Sequence, residues 1–284
     1  RGENDWHVMG KLAWKPQPGQ KLTFSYDRSL NINQGYFLPR IDGGRGYPYE
    51  YEKMLDNYNT ITKQAILWNT QWTHTLNSRT FYEVSLSRFD TGLHSAVQNK
   101  HYSDYDQRFD LEPINYIPDT RGNIFTRAGD GFWDTGDAEN WYDYFSKNWT
   151  LRGDLTSQPN TRHSIKTGFE ARYTDMQVID INAPWFGETG LGRNHDYYRV
   201  YPNDGAFYIQ DRITYDGMIV NIGVRYDYWF PGKYVDDAIN NPETVTITDE
   251  AREKYRSETF ELFGMRGKGH ISPRLGISHP ITDN

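Results

Sequence analysis

Acidic residues gather where this chain could hold a cation. Asp130, Asp134, Asp137 and Glu139 lie close together, and carboxylate oxygens are what Ca²⁺ takes, about six to eight at a time. The run has neither the regular spacing nor the glycine of an EF-hand loop, so a solvated loop would carry the same residues. Calcium at Asp130, Asp134 and Asp137 is the one cofactor that the sequence suggests; Asp104, Asp106 and Asp110 form a weaker version. Aromatic residues crowd the same region. Trp133, Trp141, Tyr142, Tyr144 and Phe145 could stack on a sugar or peptide, as could Tyr47 and Tyr49 in the tract that ends at Tyr51. The competing reading is an interfacial belt for those next to a strand, and self-packing of a loop for Tyr47 to Tyr51.

Catalytic patterns are poor. His195–Asp196 is an acid–histidine neighbour pair in a polar stretch, but hydrolysis through a hydroxyl needs an oriented base and a third group. HExxH, the phosphate-binding P-loop and GxSxG are absent, and GMRGKG (264–269) follows no βαβ unit, so it reads as a loop. The sequence contains no cysteine, which removes thiolate metal sites and cysteine nucleophiles. Asn148-Trp-Thr150 matches a glycosylation acceptor but falls inside a strand pattern. No enzyme is expected.

The elements that would position these residues follow from composition and periodicity. The chain has 284 residues and a net charge of −7, which argues against a nucleic-acid partner, since that requires a basic face. Hydrophobic content is 36% while aromatic content is 16%. That balance suits strands with one apolar side and aromatic belts at two interfaces. No stretch is long and apolar enough for a transmembrane helix, but a barrel strand needs only about 9–11 residues.

Period-2 alternation recurs along the chain. Val8, Gly10, Leu12 and Trp14 share a face, as do Leu22, Phe24 and Tyr26; Tyr82, Val84 and Leu86; and Trp149, Leu151, Gly153 and Leu155. The same holds for Ile165 to Tyr173, Val220 to Tyr228 and Ile271 to Ile277. Ile66 to Trp72 alternates less cleanly, and Asp211 makes parity ambiguous in the segment with Phe207, Ile209 and Ile213. Arg, Lys, Asp and Glu recur in mid-strand on the opposite face. Turned toward lipid, each Arg or Lys would cost about 2–4 kcal/mol near the midplane.

Connections alternate between tight turns at 15–20, 76–79, 157–162 and 215–217 and long polar stretches near 29–60, 92–143, 179–203 and 231–268. Compact soluble domains seldom hold loops beyond about 15 residues. Short turns at one end and long loops at the other predict an antiparallel transmembrane β-barrel in contact with outer-membrane lipid. About nine strands are expected, an odd number that would leave open edges, so the chain reads as one segment (1–284) of a larger barrel that begins in a loop and stops at a turn.

Specific segments carry a family resemblance. KLAWKPQPGQKLTFSYDRS (11–29), GAFYIQDRITYDGMIVNIGVRYDYW (205–229) and ISPRLGIS (271–278) resemble TonB-dependent outer-membrane receptors. DGFWDTGDAENWYDYFSKNWTLRGDLTSQ (130–158) and SIKTGFE (164–170) resemble the Oar-like, carboxypeptidase-regulatory-domain type. The resemblance implies a barrel of about 22 strands, with a plug domain and a TonB box that this sequence does not show. It also implies TonB as a partner through the plug, a bacterial outer-membrane location, and an unknown bulky ligand taken up or exported after capture by the loops. The alternative function is surface adhesion or a structural barrel without transport.

Overall fold

The computed structural model describes residues 4–34, 51–111, 115–118, 124–127, 132–187, 190–241, 243 and 247–279. The strands are β1 (Asn4–Trp14), β2 (Gln20–Asn33), β3 (Thr60–Asn77), β4 (Thr80–Ala96), β5 (Asn115–Pro118), β6 (Ile124–Arg127) and β7 (Asn140–Ser157). They continue as β8 (His163–Asn182), β9 (Asn194–Val200), β10 (Asn203–Tyr215), β11 (Met218–Phe230), β12 (Phe260–Leu262) and β13 (Met265–Ser278). Helices α1 (Lys233–Asn240) and α2 (Asp249–Glu258) lie between β11 and β12. One antiparallel 11-stranded sheet runs β1-β2-β3-β4-β7-β8-β10-β11-β13-β12, with β9 also on β8, and β5-β6 is a separate hairpin. The sheet is a partial barrel wall. Among the described residues, β1 pairs only with β2, and most of β13 pairs only with β11.

All nine expected strands form, and the four tight turns fall where expected. The differences lie at the opposite end. Strands run well into the stretches expected to be loops: β2 reaches Asn33, β4 reaches Ala96, β7 begins at Asn140 and β8 reaches Asn182. The count also rises. The short strands β5, β6, β9 and β12 sit in polar sequence whose weak alternation did not mark them. His195–Asp196 therefore lies in β9, not in a loop, and Met265 to Gly269 of the glycine-rich GMRGKG opens β13. β9 and β10 are consecutive partners of β8, separated at Tyr201–Pro202, where proline lacks the amide a ladder needs.

Register shows which side chains share a face, because directly paired residues point the same way. Leu12, Phe24, Thr70, Leu86, Leu151 and Ala171 form one continuous row. The opposite face carries Thr23, Gln71, Ser85, Arg152 and Glu170. The apolar face is widely exposed, with Leu12 at 72%, Ile222 at 52% and Leu275 at 71%. Such a band in contact with solvent would be an interaction surface of exceptional size; facing lipid, it is satisfied. Gly153 belongs to this face because Phe169 crosses over it, and a Cβ there would meet the ring at 2.5 Å.

The parity ambiguity at Asp211 is also resolved. Asp211 pairs with Ile165 and Ile222, which puts it on the apolar face near the tight-turn end, where His163 Nδ1 lies 2.5 Å from its Oδ2. A polar pair is tolerated there because the membrane boundary is near.

Strand tilt sets the height scale. At about 3.3 Å per residue and a tilt of about 40°, each residue climbs about 2.5 Å, so a band about 25 Å tall takes about ten residues. Trp68 packs edge-on against Trp149 at 5.2 Å, with Arg88 over the Trp149 ring at 5.2 Å. These rings stand about eight or nine residues above the tight turns, the height of an interfacial girdle. Replacement of Leu86 by Arg should therefore destabilise the folded barrel in bilayers by about 2–4 kcal/mol. Ser87→Arg, one residue away on the charged face, should change it by less than about 1 kcal/mol. Denaturant titration of both variants in lipid vesicles measures the difference, and equal effects would reject the assignment of faces.

Candidate functional site at the long-loop end

Above the girdle the wall continues out of the membrane, and here the molecule has its buried core. Tyr51, Ala96, Val97, Tyr105, Ala138, Trp141, Ile179 and Ile181 form one cluster, with Met54, Tyr58, Tyr102, Trp133, Trp185 and Leu191 packed against it. Trp141, Ile179 and Ile181 lie on the same side of the sheet as Trp149 and Tyr173. Their alternation continues the lipid-facing pattern, but at this height the segments after β2 and β4 cover them instead of lipid.

Polar contacts fix that cover. Asp137 is fully buried, and its carboxylate accepts from Lys100 Nζ at 2.9 Å and from the Asp106 amide at 2.8 Å. Asp134 accepts from Lys53 Nζ at 2.7 Å and from the Leu111 amide at 2.8 Å, and the Lys53 hydrogen bond holds its carboxyl below the usual range. Arg108 bonds Glu139, donates to the Tyr51 hydroxyl at 3.0 Å and stacks over Trp133 at 4.4 Å. Trp141 donates its indole N–H to the Lys100 carbonyl at 3.0 Å. Gly136 must be glycine, because it takes φ +88° and a Cβ would come within 2.3 Å of Arg108 Cα.

The expected site residues therefore separate. Asp134 and Asp137 are near one another in sequence, but each is engaged by a lysine and a backbone amide. Among the described residues no three His, Asp or Glu side chains gather as a metal would need; Asp130 lies outside the described residues, as do Tyr47 and Tyr49. Trp141 is 5% exposed, so it offers a ligand little surface. Trp133 is half-buried against Arg108. Tyr142 differs. It lies on the opposite face to Trp141, in the row that descends to Arg152, and so toward the lumen.

Tyr142 stands beside Tyr144, ring centroids 5.7 Å apart, and the Tyr144 hydroxyl donates to Asp180 Oδ2 at 2.8 Å. Burial, then the charges of Asp180 and Glu139 and the nearby Tyr58, raises the Tyr142 phenol; burial and the Asp180 hydrogen bond raise that of Tyr144. Both remain neutral donors at any physiological pH. An aromatic shelf with a carboxylate at its edge can stack on a flat apolar surface and orient a donor group. Asp180 was not singled out by the sequence, whereas Tyr144 was, as part of the aromatic cluster. Continuing the alternation upward from Arg152 through Thr150, Asn148 and Ser146 would have separated Tyr142 and Tyr144 from Trp141 and Phe145. All these rings lie about 13–16 residues above Ser157, about 30–40 Å by the same scale. That is too high for the interfacial belt.

The acid–histidine pair is split by the strand. Neighbouring residues on a strand point to opposite faces, so His195, paired with Ile181, and Asp196, paired with Asp180, cannot act together.

Two outcomes follow for the cover. Asp137→Ala leaves Lys100 and the Asp106 amide without their partner and should weaken the segments 97–111 and 132–139 locally by about 3 kcal/mol; hydrogen exchange should rise there while β7 and β8 stay protected below the girdle. Burial pushes the Tyr105 phenol up to about 12. A raised folded value stabilises fully below the phenol's ordinary value of about 10, and that stabilisation is lost as pH climbs through about 12. The cover should thus loosen in that alkaline window, read by the same exchange measurement. Tyr105→Phe, weaker throughout because the Val97 amide loses its acceptor, should lack the transition.

The TonB dependent receptor-like β-barrel family matches residues 13–284. No curated protein matches the chain. Among solved structures, the chain is similar to the closed form of the ferric-catecholate import receptor Fiu from K12 E. coli, with a TM-score of 0.49 and 13% identity. That likeness covers 99% of this chain and 42% of Fiu. It is also similar to the outer membrane transporter YddB from Escherichia coli, with a TM-score of 0.43 and 16% identity, over 78% of this chain and 26% of YddB. The chain thus spans less than half the length of these structures. By the match over nearly its whole length, this chain belongs to the TonB dependent receptor-like β-barrel family.

Proposed function

We propose that these residues are wall and mouth of a bacterial outer-membrane transporter. It captures a bulky ligand at its long-loop end and moves it through a lumen opened by TonB. The family match supports the class of protein, and the aromatic shelf of Tyr142 and Tyr144 beside Asp180, on the lumen side above the membrane, carries the capture step. Among the described residues β1 and most of β13 keep one edge without a paired strand, and edge amides and carbonyls left in hydrocarbon cost several kcal/mol each, which favours a larger barrel. A barrel of about 22 strands with a plug and TonB box, and the Oar-like subtype, remain the finer form of this proposal.

Surface binding without transport is the second reading, favoured by the firm packing of the segments around Trp141, which resembles a fixed adhesive head. Cells that express the full-length protein distinguish the two. Transport predicts that a solute disappears from the medium into a wash-resistant pool, and that a protonophore abolishes this. A pool released by washing, and indifferent to the protonophore, would establish surface binding instead. Tyr142→Ala with Tyr144→Ala should lower capture about tenfold, since each aromatic contact contributes about 0.5–1.5 kcal/mol, with surface expression unchanged.

A further inference from the structure

The lumen face holds a second concentration of chemistry, far below the mouth. On β7, β8, β10, β11 and β13, close to the tight-turn end, a concavity of about 470 Å³ is lined by Arg152, Lys166, Arg212, Arg225 and Arg274. The chain as a whole is acidic, with a net charge of −7, so five cations around one hollow run against its composition. Register explains how they meet. Lys166, Gln210, Gly223 and Arg274 form one cross-strand row, and Arg212, Asn221 and Gly276 form the row next to it. Arg225 stands two residues beyond Gly223 on the same face. Gly223 and Gly276 bring no side chain, and Gln210, whose Cβ would lie 2.9 Å from a Cβ at Gly223, forms the floor with Asn221.

The neighbouring acids account for only part of this charge. Arg152 bonds Asp154 at 2.7 Å, Lys166 lies 3.8 Å from the same Asp154, and Tyr208 bonds it as well. Arg225 bonds Asp227 at 2.8 Å. Arg212 and Arg274 have no acidic partner among the described residues, and both are exposed. One carboxylate thus serves Arg152 and Lys166 together, and two guanidinium groups face the hollow with none. The planar fork of arginine matches the oxygen geometry of phosphate and carboxylate.

We propose that this basic hollow is an oxyanion-binding site on the inner wall, in which Arg212 and Arg274 clasp a phosphate or carboxylate group over the floor of Gln210 and Asn221, with Arg225 and Lys166 at its margin. The site takes its charge from the wall alone and does not depend on the ligand captured at the mouth. It rests on the reading of this face as the lumen, but not on transport.

The test uses the full-length protein in detergent, with inorganic phosphate and pyrophosphate as probes in titration calorimetry. Saturable binding is expected. It should weaken at least tenfold in Arg212→Gln/Arg274→Gln, weaken less in Arg212→Lys/Arg274→Lys, which keeps the charge but loses the planar fork, and fall steeply with added sodium chloride. Tyr142→Ala/Tyr144→Ala should leave it unchanged, so failure of the capture site and failure of this site are separable. No saturable binding, or binding that survives the Gln variant, overturns the proposal. Absence of phosphate binding together with a cross-link between a cysteine placed at 274 and an acidic segment inside the lumen would show instead that a polypeptide occupies the hollow.

Discussion

The backbone hydrogen bond between neighbouring strands is the constraint on which the rest depends. In hydrocarbon an amide or carbonyl without a partner costs several kcal/mol, and water is not there to replace it. The long ladders β3-β4, β4-β7 and β7-β8 meet this demand over their full paired length. Register then follows from side-chain chemistry, because a slip of one residue would turn the row of Leu86, Leu151 and Trp149 toward water and lumen-facing charges such as Arg152 and Glu170 toward lipid. The two faces are consequences of the ladder, and the sites on them inherit its geometry.

The strands are longer than the membrane requires, and this surplus carries the packed core and the aromatic shelf. β8 is 20 residues long and β7 is 18, against about ten for the hydrocarbon band. In the surplus the outward face changes its neighbour from lipid to folded chain. Trp149 and Trp141 have the same parity on β7, yet the first belongs to the girdle and the second to a packed core. A residue's meaning here depends on two coordinates, face and height.

Face was legible in the sequence; height was not. Alternation alone found the nine long strands and their turns, because Arg152 beside Leu151 or Arg225 beside Val224 leaves no doubt about parity. Asp211 broke the pattern because its partner His163 comes from another strand, and pairing across strands is not written in local order. For the same reason Trp141 and Tyr142 looked like one aromatic cluster, although a strand sends them to opposite sides. Asp134 and Asp137 looked like cation ligands because their lysines, Lys53 and Lys100, lie far away in the chain.

Mouth and hollow are electrically independent, which removes an apparent conflict between them. Asp180 and its acidic neighbours lie at the mouth, and an anion bound for the basic hollow would be repelled if those charges acted at a distance. From Tyr144 down to Arg152 the strand spans about 25 Å, roughly three screening lengths at physiological salt. Moreover, the Tyr144 hydroxyl already donates to Asp180, which offsets part of its field at the shelf. Each site thus presents its own charge to whatever comes within a few ångströms of it. The wall can accept a ligand at the mouth by stacking and hold an oxyanion below by guanidinium pairing, without either chemistry constraining the other.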